Sequence, residues 1–237
     1  MHLLPRSTQM INVVLVELKI PENIGFIARV LKNFGFEKLS LYKCNVTENS
    51  YKTAANAKDL LEKAEIIDDL FSYLSKFNLV VGTTGISGGD YRFFRKPLLS
   101  PEELMEFIDG ETAILFGRED YGLLKEEIER CHVLVKIPTS EAYPVMNVSH
   151  AVAVILYFLR NVPRRKKESF ATAEEIEILV DRVSQLLELI EFPEQRRRRE
   201  ILTLRRVFGR AKLRSYEFET IMGIFTKTIG FIKRLKH

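Results

Sequence analysis

Cysteine and histidine are scarce in this sequence of 237 residues. It contains two cysteines, Cys44 and Cys131, and four histidines that are scattered along the chain. Neither a CxxC nor an HExxH motif occurs, so the sequence supports neither a disulfide framework nor a zinc site. A metal cluster built on histidine is equally unsupported, and we predict a protein without a bound metal.

Long apolar segments are also absent. No run of eighteen apolar residues occurs, and the N-terminus lacks the charged and then apolar pattern of a secretory leader. We therefore expect a soluble, cytoplasmic protein that does not bind a membrane. The glycines at positions 82, 85, 88 and 89 could let the backbone approach a ligand, but their spacing matches neither GxGxxG nor a P-loop. A nicotinamide site or a nucleotide-hydrolysing site is thus poorly supported.

The charge of the chain is unevenly distributed. Residues 1–160 contain 18 Lys and Arg against 21 Asp and Glu, a net charge of −3, whereas residues 161–237 contain 18 against 11, a net charge of +7. With 46% apolar residues and no low-complexity tract, most of the chain should be folded. A polyanion is the natural partner of the cationic part, although such charge often only solvates a helix surface.

Strand and helix patterns alternate between residues 11 and 160. Short β-branched or apolar runs predict strands, and apolar residues at helical spacing predict helices. The predicted strands span residues 11–17, 38–42, 78–82, 112–116 and 133–137. The predicted helices are one that ends at Gly35 and those at residues 54–64, 101–107 and 123–130. This alternation predicts an α/β fold with a parallel sheet that helices cover on both faces.

The helix predicted from Val148 to Leu159 is almost wholly apolar. Because it has no polar face, it should be covered on nearly all sides, in a core or in a subunit interface. It follows a strand and a turn that begins at Pro138, and the carboxyl ends of strands in open α/β sheets are where ligands bind. Asn147 has two compatible interpretations, as the helix N-cap and as an amide that faces a ligand.

Other polar residues at strand ends also have two interpretations. Asn23 could be a helix N-cap and Arg29 a solvated side chain, or both could serve a site. Arg118 and Glu119 follow the strand at residues 112–116, where chemistry tends to occur in this architecture. The alternative is a surface ion pair that contributes little.

A stretch from Arg92 to Lys96 interleaves cations with aromatic residues. Arg92 and Arg95 flank Phe93 and Phe94, a combination suited to stacking on unpaired bases. Equally, the two phenylalanines could anchor a mobile loop.

Residues 161–171 break the alternation and form a predicted basic linker with Pro163 and four consecutive cations. Residues 172–237 should be a small all-helical extension. Thr172 and Glu175 form a capping box at its start, Pro193 begins a second helix, and a third spans residues 216–235. The second helix carries Arg196, Arg197, Arg198 and Arg199, so this extension is the part that we expect to meet a polyanion.

Three stretches together resemble the motifs of a known family. They are NIGFIAR at residues 23–29, FGREDYGL at residues 116–123 and IPTSEAYPVMNVSHAV at residues 137–152. In order and spacing they resemble the three motifs of the SPOUT ribose methyltransferases, which methylate RNA 2'-hydroxyls with S-adenosylmethionine. GTTG at residues 82–85 and the helical extension further resemble the TrmJ branch of the TrmH-like family in this class.

The resemblance implies a fold that the patterns alone do not suggest. Residues 1–160 would form the methyltransferase domain, with its C-terminal segment threaded into a trefoil knot, and two chains would form a homodimer through the knot. Knots are rare enough to be excluded by default. The apolar helix at residues 148–159 would then lie in both the knot and the dimer core.

The resemblance also implies roles for the matching residues. The catalytic residues would be Asn23, Arg29, Glu119 and Asn147. The S-adenosylmethionine site would be formed by Thr83, Thr84, Leu115, Gly117, Ile137, Val145, Met146 and Asn147. RNA would be contacted by Arg29, Arg92, Arg95, Arg118, Arg196, Arg197, Arg198 and Arg199. Because a guanidinium is scarcely deprotonated in proteins, we expect Arg29 to bind phosphate and stabilise an oxyanion.

The expected activity is 2'-O-methylation of tRNA at anticodon-loop nucleotide 32, on cytidine, with uridine left open. The alternatives are methylation of ribosomal RNA by an enzyme of the same class and an inactive RNA-binding paralogue. Val145 stands where the family commonly has a serine, and Ile86 and Ser87 follow GTTG where an arginine is expected. The retained polar residues of the three motifs favour an active enzyme.

Overall fold

The computed structural model of the chain describes residues 10–86, 97–162 and 169–236. Arg92, Arg95 and residues 163–168 of the predicted linker lie outside the described residues. The strands are β1 (Ile11–Val16), β2 (Lys38–Tyr42), β3 (Glu65–Ile67), β4 (Leu79–Thr83), β5 (Leu98–Leu99), β6 (Thr112–Phe116) and β7 (Val133–Val135). The helices are α1 (Pro21–Phe34), α2 (Glu48–Ala54), α3 (Lys58–Glu62), α4 (Leu70–Leu74), α5 (Pro101–Phe107), α6 (Lys125–Arg130), α7 (Val148–Leu159), α8 (Ala173–Leu189), α9 (Glu194–Ala211) and α10 (Ser215–Leu235).

The seven strands form one parallel sheet in the order β3-β2-β1-β6-β4-β7-β5. Every residue of β1 is buried, and its side chains alternate between two cores. Val13 joins the core that holds α1 and α7, whereas Val14 joins the core that holds α4 and α6. The predicted parallel α/β fold with helices on both faces is thereby confirmed.

One predicted helix is wrong in its extent. The stretch at residues 54–64 is not a single helix, because α2 ends at Ala54 and α3 begins only at Lys58, after a short 3₁₀ turn. Ala55 has a φ of +51°, which a continuous helix cannot contain. The elements β3, α4 and β5 were not predicted, since two to five residues are too few to establish a period.

Helix α7 is buried on one side only within this chain. Its buried side chains include Val152, Ile155 and Leu159. Tyr157 is 50% exposed, and Val154 and Phe158 are half-buried. The expectation that this apolar helix is covered on nearly all sides is therefore not met by a single chain.

The helices α8, α9 and α10 form the C-terminal extension and share a small core. Ile176 and Leu179 of α8 are buried there, and Phe218 and Phe225 of α10 pack against this cluster. The predicted capping box is present, because the Thr172 hydroxyl accepts from the backbone of Glu175 at 3.2 Å. Among the described helices, none is both long and apolar enough to cross a membrane.

The extension docks on the rest of the chain through charged pairs. Glu177 of α8 accepts from Arg205 of α9 and from Arg130 of α6, and Arg198 of α9 donates to Glu129 of α6 at 2.8 Å. Some of the arginines of α9 therefore form ion pairs with the rest of the chain.

His132 lies at the centre of this docking surface. It is buried, its Nδ1 accepts from the backbone N–H of Val80 at 3.3 Å, and a Cβ on Gly209 of α9 would lie only 2.3 Å from its ring. Burial lowers the pKa of His132 to about 4. The ring is therefore neutral in the folded chain at neutral pH. Glycine is required at position 209 because a side chain there would collide with the ring.

The stability of the chain should fall below the ordinary pKa of this histidine. As the pH drops through about 6.5, the unfolded chain binds a proton at His132 that the folded chain excludes until about pH 4. We expect a loss of about 1.5 kcal/mol in the free energy of unfolding between about pH 6.5 and pH 5. Urea unfolding across this range measures it against a His132→Phe variant. A stability difference between the two that does not change with pH would contradict the assignment.

Candidate active site

A cleft of about 520 Å³ opens at the carboxyl ends of β4, β6 and β7. Thr83, Phe116 and Val135, the last residues of these strands, all line it, together with the loops that follow. This is the edge of a parallel sheet where ligands bind, and the volume lies in the range of small-molecule sites.

The residues after β6 form a tight hairpin at the rim of the cleft. Arg118 and Gly122 exchange backbone hydrogen bonds of 3.2 and 2.9 Å, so residues 119–121 form a three-residue tip. Gly122 has a φ of +71°, and a Cβ on Gly117 would lie 2.3 Å from the carbonyl carbon of Gly122. Both glycines are therefore required for the turn.

Arg118 is buried beneath this hairpin, with 1% of its side chain exposed. Its guanidinium bonds both carboxylate oxygens of Glu127 at 2.9 and 3.1 Å and one oxygen of Glu17 at 3.0 and 2.9 Å, and it also donates to the carbonyl of Gly122. All five of its N–H groups are thus used. The sequence suggested Arg118 as an RNA contact, and this burial corrects that expectation because no N–H remains for a phosphate.

A chain of hydrogen bonds connects three of the four predicted catalytic residues. The Asn23 amide donates to the Glu119 carboxylate at 2.9 Å, and the Asn147 amide donates to the Asn23 carbonyl oxygen at 3.2 Å. Glu119 also accepts from the backbone N–H groups of Lys19 and Ile20 at 3.0 and 3.2 Å. We refer to Glu119, Asn23 and Asn147 as the polar relay.

The carboxylate of Glu119 is held in its charged form. Burial raises its pKa, but the bonds from the Lys19 backbone and the Asn23 amide outweigh burial and leave the pKa below its ordinary value. At neutral pH Glu119 is therefore an acceptor only, and it fixes the direction in which the Asn23 amide points.

Asn147 combines the two interpretations that the sequence left open. Its side-chain oxygen accepts from the backbone N–H and the hydroxyl of Ser149 at 2.9 and 2.7 Å, so it caps α7. Its amide nitrogen meanwhile donates to Asn23. The residue also lines the cleft, and one side chain thus joins the helix start to the relay.

The structure brings most of the expected cofactor residues to the cleft. Those that line it are Thr83, Thr84, Gly117, Ile137, Val145, Met146 and Asn147. Leu115 differs from the expectation, because it is fully buried in β6 and its carbonyl accepts from the Thr83 hydroxyl at 2.8 Å. Gly82 also serves packing rather than a ligand, since a Cβ there would lie 2.7 Å from the sulfur of Cys131.

Hydroxyl groups near Val145 are mostly engaged in the loop itself. Thr139 donates to the carbonyl of Pro144 at 2.8 Å, and the Ser140 hydroxyl accepts from the backbone of Ala142. Val145 is half exposed at the cleft. Neither hydroxyl is therefore aimed at the place where the family commonly has a serine.

Arg29 is not brought to the cleft of its own chain. It is exposed on α1, six residues beyond Asn23, and does not line the cleft. Phe26, one turn earlier on the same helix, is 42% exposed, and Tyr157 of the neighbouring helix α7 is 50% exposed. Arg29 thus belongs to an open face formed by α1 and α7.

The four arginines predicted to contact RNA on α9 differ in their surroundings. Arg198 is paired with Glu129, and Arg197 donates to the carbonyl of Phe192 at 3.1 Å. Arg196 and Arg199 are exposed, and Arg196 donates a 3.5 Å bond to Glu200 and lies 5.5 Å from the centroid of the Phe192 ring. Arg196 and Arg199 are therefore the two that are best placed to meet an external anion.

Sequence reasoning missed the partners that hold the site in place. Lys19 and Ile20 act through backbone N–H groups, which no side-chain pattern reveals. Glu17 and Glu127 could have been suspected only by knowing that Arg118 is buried. The part of the chain that the structure describes contains no group of three or more His, Cys, Asp or Glu that could hold a metal ion.

Comparison with known proteins identifies the family of the chain. A family model described as the SpoU rRNA Methylase family matches residues 10–157. The tRNA (cytidine-2'-O-)-methyltransferase TrmJ of Methanocaldococcus jannaschii is 37% identical over 227 residues, which cover 91% of this chain and 98% of that protein. The tRNA (cytidine/uridine/adenosine-2'-O-)-methyltransferase TrmJ of Pseudomonas aeruginosa is 33% identical, with 92% and 93% covered.

The fold agrees as well. The crystal structure of TrmJ from Z. mobilis ZM4 superposes with a TM-score of 0.75 at 24% identity, and the match covers 92% of this chain and 98% of that one. The family model spans more than half of the chain, and the relatives match both the sheet domain and the helical extension. The chain therefore belongs to the SpoU rRNA Methylase family, and within this SPOUT class it is a 2'-O-methyltransferase of the TrmJ branch.

Proposed function

We propose that the protein transfers a methyl group from S-adenosylmethionine to a ribose 2'-oxygen of tRNA, at anticodon-loop nucleotide 32. The observation that carries the proposal is the polar relay of Glu119, Asn23 and Asn147 at the rim of a cleft large enough for a small-molecule donor. The names of the relatives support tRNA as the substrate, with cytidine in one and cytidine, uridine or adenosine in another.

The cleft suits a donor that combines an adenosine with a charged sulfur. Its apolar lining includes Ile137, Met146 and Ile155, and Thr83 and Thr84 add hydroxyl groups. Apolar walls with a few polar groups are typical of cofactor sites. When bound, S-adenosylmethionine supplies a methyl group on a positively charged sulfur, which is already reactive, so the protein contributes mainly orientation and charge placement.

The relay can orient the ribose for this reaction. The charged Glu119 holds the Asn23 amide, and Asn147 fixes the Asn23 carbonyl, so the polar surface beside the cleft has one defined arrangement. As the 2'-oxygen becomes methylated its proton passes to solvent water, and a cationic group near that oxygen stabilises the negative charge that develops there. We assign that role, together with phosphate binding, to Arg29.

Arg29 is exposed and does not line the cleft of its own chain. We therefore infer that it reaches the cleft of a second copy of the chain. We propose that the chain forms a homodimer through the open face of α1 and α7. The half-exposed Phe26 and Tyr157 and the uncovered side of α7 support this, because an apolar helix without a polar face is stable when a partner covers it. The trefoil knot is part of the same proposal, and it is supported by β7, which lies between β4 and β5 although those two strands are consecutive in sequence.

Transfer of radiolabelled methyl from S-adenosylmethionine to unmodified tRNA, with ribosomal RNA in parallel, tests the function. Label at the ribose of nucleotide 32 is the expected result. Label in ribosomal RNA alone would show that ribosomal RNA is the substrate. Absence of label from both, with measurable RNA binding, would indicate an inactive binding protein.

The extension should bind RNA phosphates through the exposed arginines of α9. We expect the double variant Arg196→Ala/Arg199→Ala to weaken tRNA binding and to reduce the slope of log affinity against log salt concentration by about 1.5, since each lost phosphate contact removes counterion release. Filter binding at several salt concentrations measures the slope. The matched control is Lys58→Ala/Lys63→Ala, which removes two exposed cations from the other part of the chain. Equal slopes in the two variants would mean that these arginines only solvate the helix.

A further inference from the structure

Tyr121 is a cleft residue to which neither the relay nor the cofactor site assigns a role. It lies at the tip of the hairpin after β6, lines the cleft and is 53% exposed. A tyrosine ring offers a large flat apolar surface. Its exposure beside the reacting groups leaves that surface available to a ligand.

The ring is held in place although it is exposed. The guanidinium carbon of Arg118 and the ammonium nitrogen of Lys19 both lie 5.4 Å from its centroid. Lys19 is itself fixed by Asp120 at 2.6 Å, and Asp120 accepts from the backbone N–H of Tyr121 at 3.1 Å. These contacts favour one orientation of the ring and so reduce the conformational entropy that it would lose when a ligand stacks on it.

Tyr121 belongs to the wall of the cleft that carries the relay. It is two residues from Glu119, whose carboxylate is bonded to the backbone of Lys19 and Ile20. Most residues assigned to the cofactor, such as Thr84 and Met146, come instead from the loops after β4 and β7, and Gly117 at the start of the hairpin is the exception. By its place in the fold, the ring is therefore associated with the acceptor ribose rather than with the methyl donor.

We propose that Tyr121 is the platform on which the unpaired base of the methylated nucleotide stacks. The inference rests on the proposed function, because it requires an RNA whose ribose lies at the relay. Single-stranded RNA is recognised largely by bases that stack on aromatic side chains, and such stacking tolerates different bases. Stacking on Tyr121 would orient the ribose through the attached base, while the polar relay would orient it through its 2'-oxygen.

Steady-state kinetics separate stacking from a structural role. Tyr121→Ala should raise the KM for tRNA about tenfold, whereas Tyr121→Phe, which keeps the ring, should match the wild type. The KM for S-adenosylmethionine should change in neither variant. If Tyr121 only covers Arg118, alanine would instead lower thermal stability and affect both substrates alike, and the inference would be overturned.

The absence of tryptophan from the chain allows a direct measurement. In Tyr121→Trp the single tryptophan would report stacking, and its fluorescence should be quenched when unmodified tRNA is added with S-adenosylhomocysteine present. The matched control is Tyr143→Trp, which replaces another tyrosine that lines the cleft and is 83% exposed. We expect clearly stronger quenching at position 121, with a midpoint equal to that of tRNA binding measured by anisotropy.

Each outcome has a distinct meaning. Equal quenching at the two positions, or none at position 121 while tRNA binds and is methylated, would overturn the platform and leave the proposed function standing. If the wild-type protein transfers no methyl group to tRNA, the proposed function fails and the platform fails with it.

Discussion

Replacing Arg29 with alanine should lower methyl transfer to tRNA by about a hundredfold or more, the loss expected when one stabiliser of a developing oxyanion is removed. The fold should be unaffected, because the side chain is exposed on α1 and no partner for its guanidinium is found in the described parts of the chain. Affinity for S-adenosylmethionine should also be unchanged, since Arg29 does not line the cleft.

Single-turnover rates, thermal midpoints and cofactor affinity together measure this effect. Lys32→Ala is the matched control, because it removes an exposed cation from the same helix, three residues further on. The ion pair that this variant breaks, with Asp59, lies at the surface and should contribute little to stability. We expect that variant to retain its rate. Full turnover by Arg29→Ala would remove Arg29 from the mechanism.

The same variant tests whether Arg29 serves the cleft of a second chain. Arg29→Ala and Glu119→Ala chains should each be inactive alone. If the arginine acts across the dimer, mixed dimers of the two regain one intact site, and activity returns after the chains are exchanged. If it acts within its own chain, mixing leaves the activity at the level of the two variants.

Replacing Arg118 with methionine should destabilise the protein by about 3–5 kcal/mol, because it leaves a buried carboxylate without its counter-charge. Glu127 is 4% exposed and accepts two bonds from this guanidinium, and Glu17 accepts two more. Loss of these contacts also frees the hairpin that carries Glu119. We therefore expect loss of methyl transfer along with the loss of stability.

Urea unfolding of Arg118→Met, Glu127→Leu and the double variant forms a cycle that isolates the pair. The double variant should be clearly more stable than Arg118→Met, because removing both charges removes the unpaired carboxylate. Additive effects of the two single variants would show that the two groups do not interact. Arg118→Lys should remain impaired, since an ammonium cannot reproduce the five-donor arrangement.

Local patterns were enough to predict the layers of the fold but not the distant pairings. The strands β1, β2 and β6 and the helix α7 follow from apolar runs and periodicity, which depend on neighbours in sequence. The break at Ala55 and the short strand β5 depend on packing against distant residues, so no local period indicates them. The same limit applies to Arg118, which is far from Glu17 in sequence and could not be recognised as buried.

The grouping of the motif residues was predictable where their own side chains contact one another. Asn23, Glu119 and Asn147 contact one another as expected. Leu115 does not line the cleft, and its carbonyl accepts a hydrogen bond from the Thr83 hydroxyl. Arg29 could not be placed by sequence, because its position relative to the cleft depends on how α1 is oriented and, in the dimer that we propose, on a second chain.

If the polar relay orients the ribose as we propose, activity also depends on two contacts between distant parts of the chain. Asn23 must find Glu119 at a separation of 96 residues and Asn147 at a separation of 124 residues, contacts that form slowly because long loops must close first. A chain in which α7 has not yet reached its place lacks both the helix cap and the end of the relay. Recovery of methyl transfer after refolding should therefore follow the slowest kinetic phase, and nascent chains should stay inactive until α7 is in position.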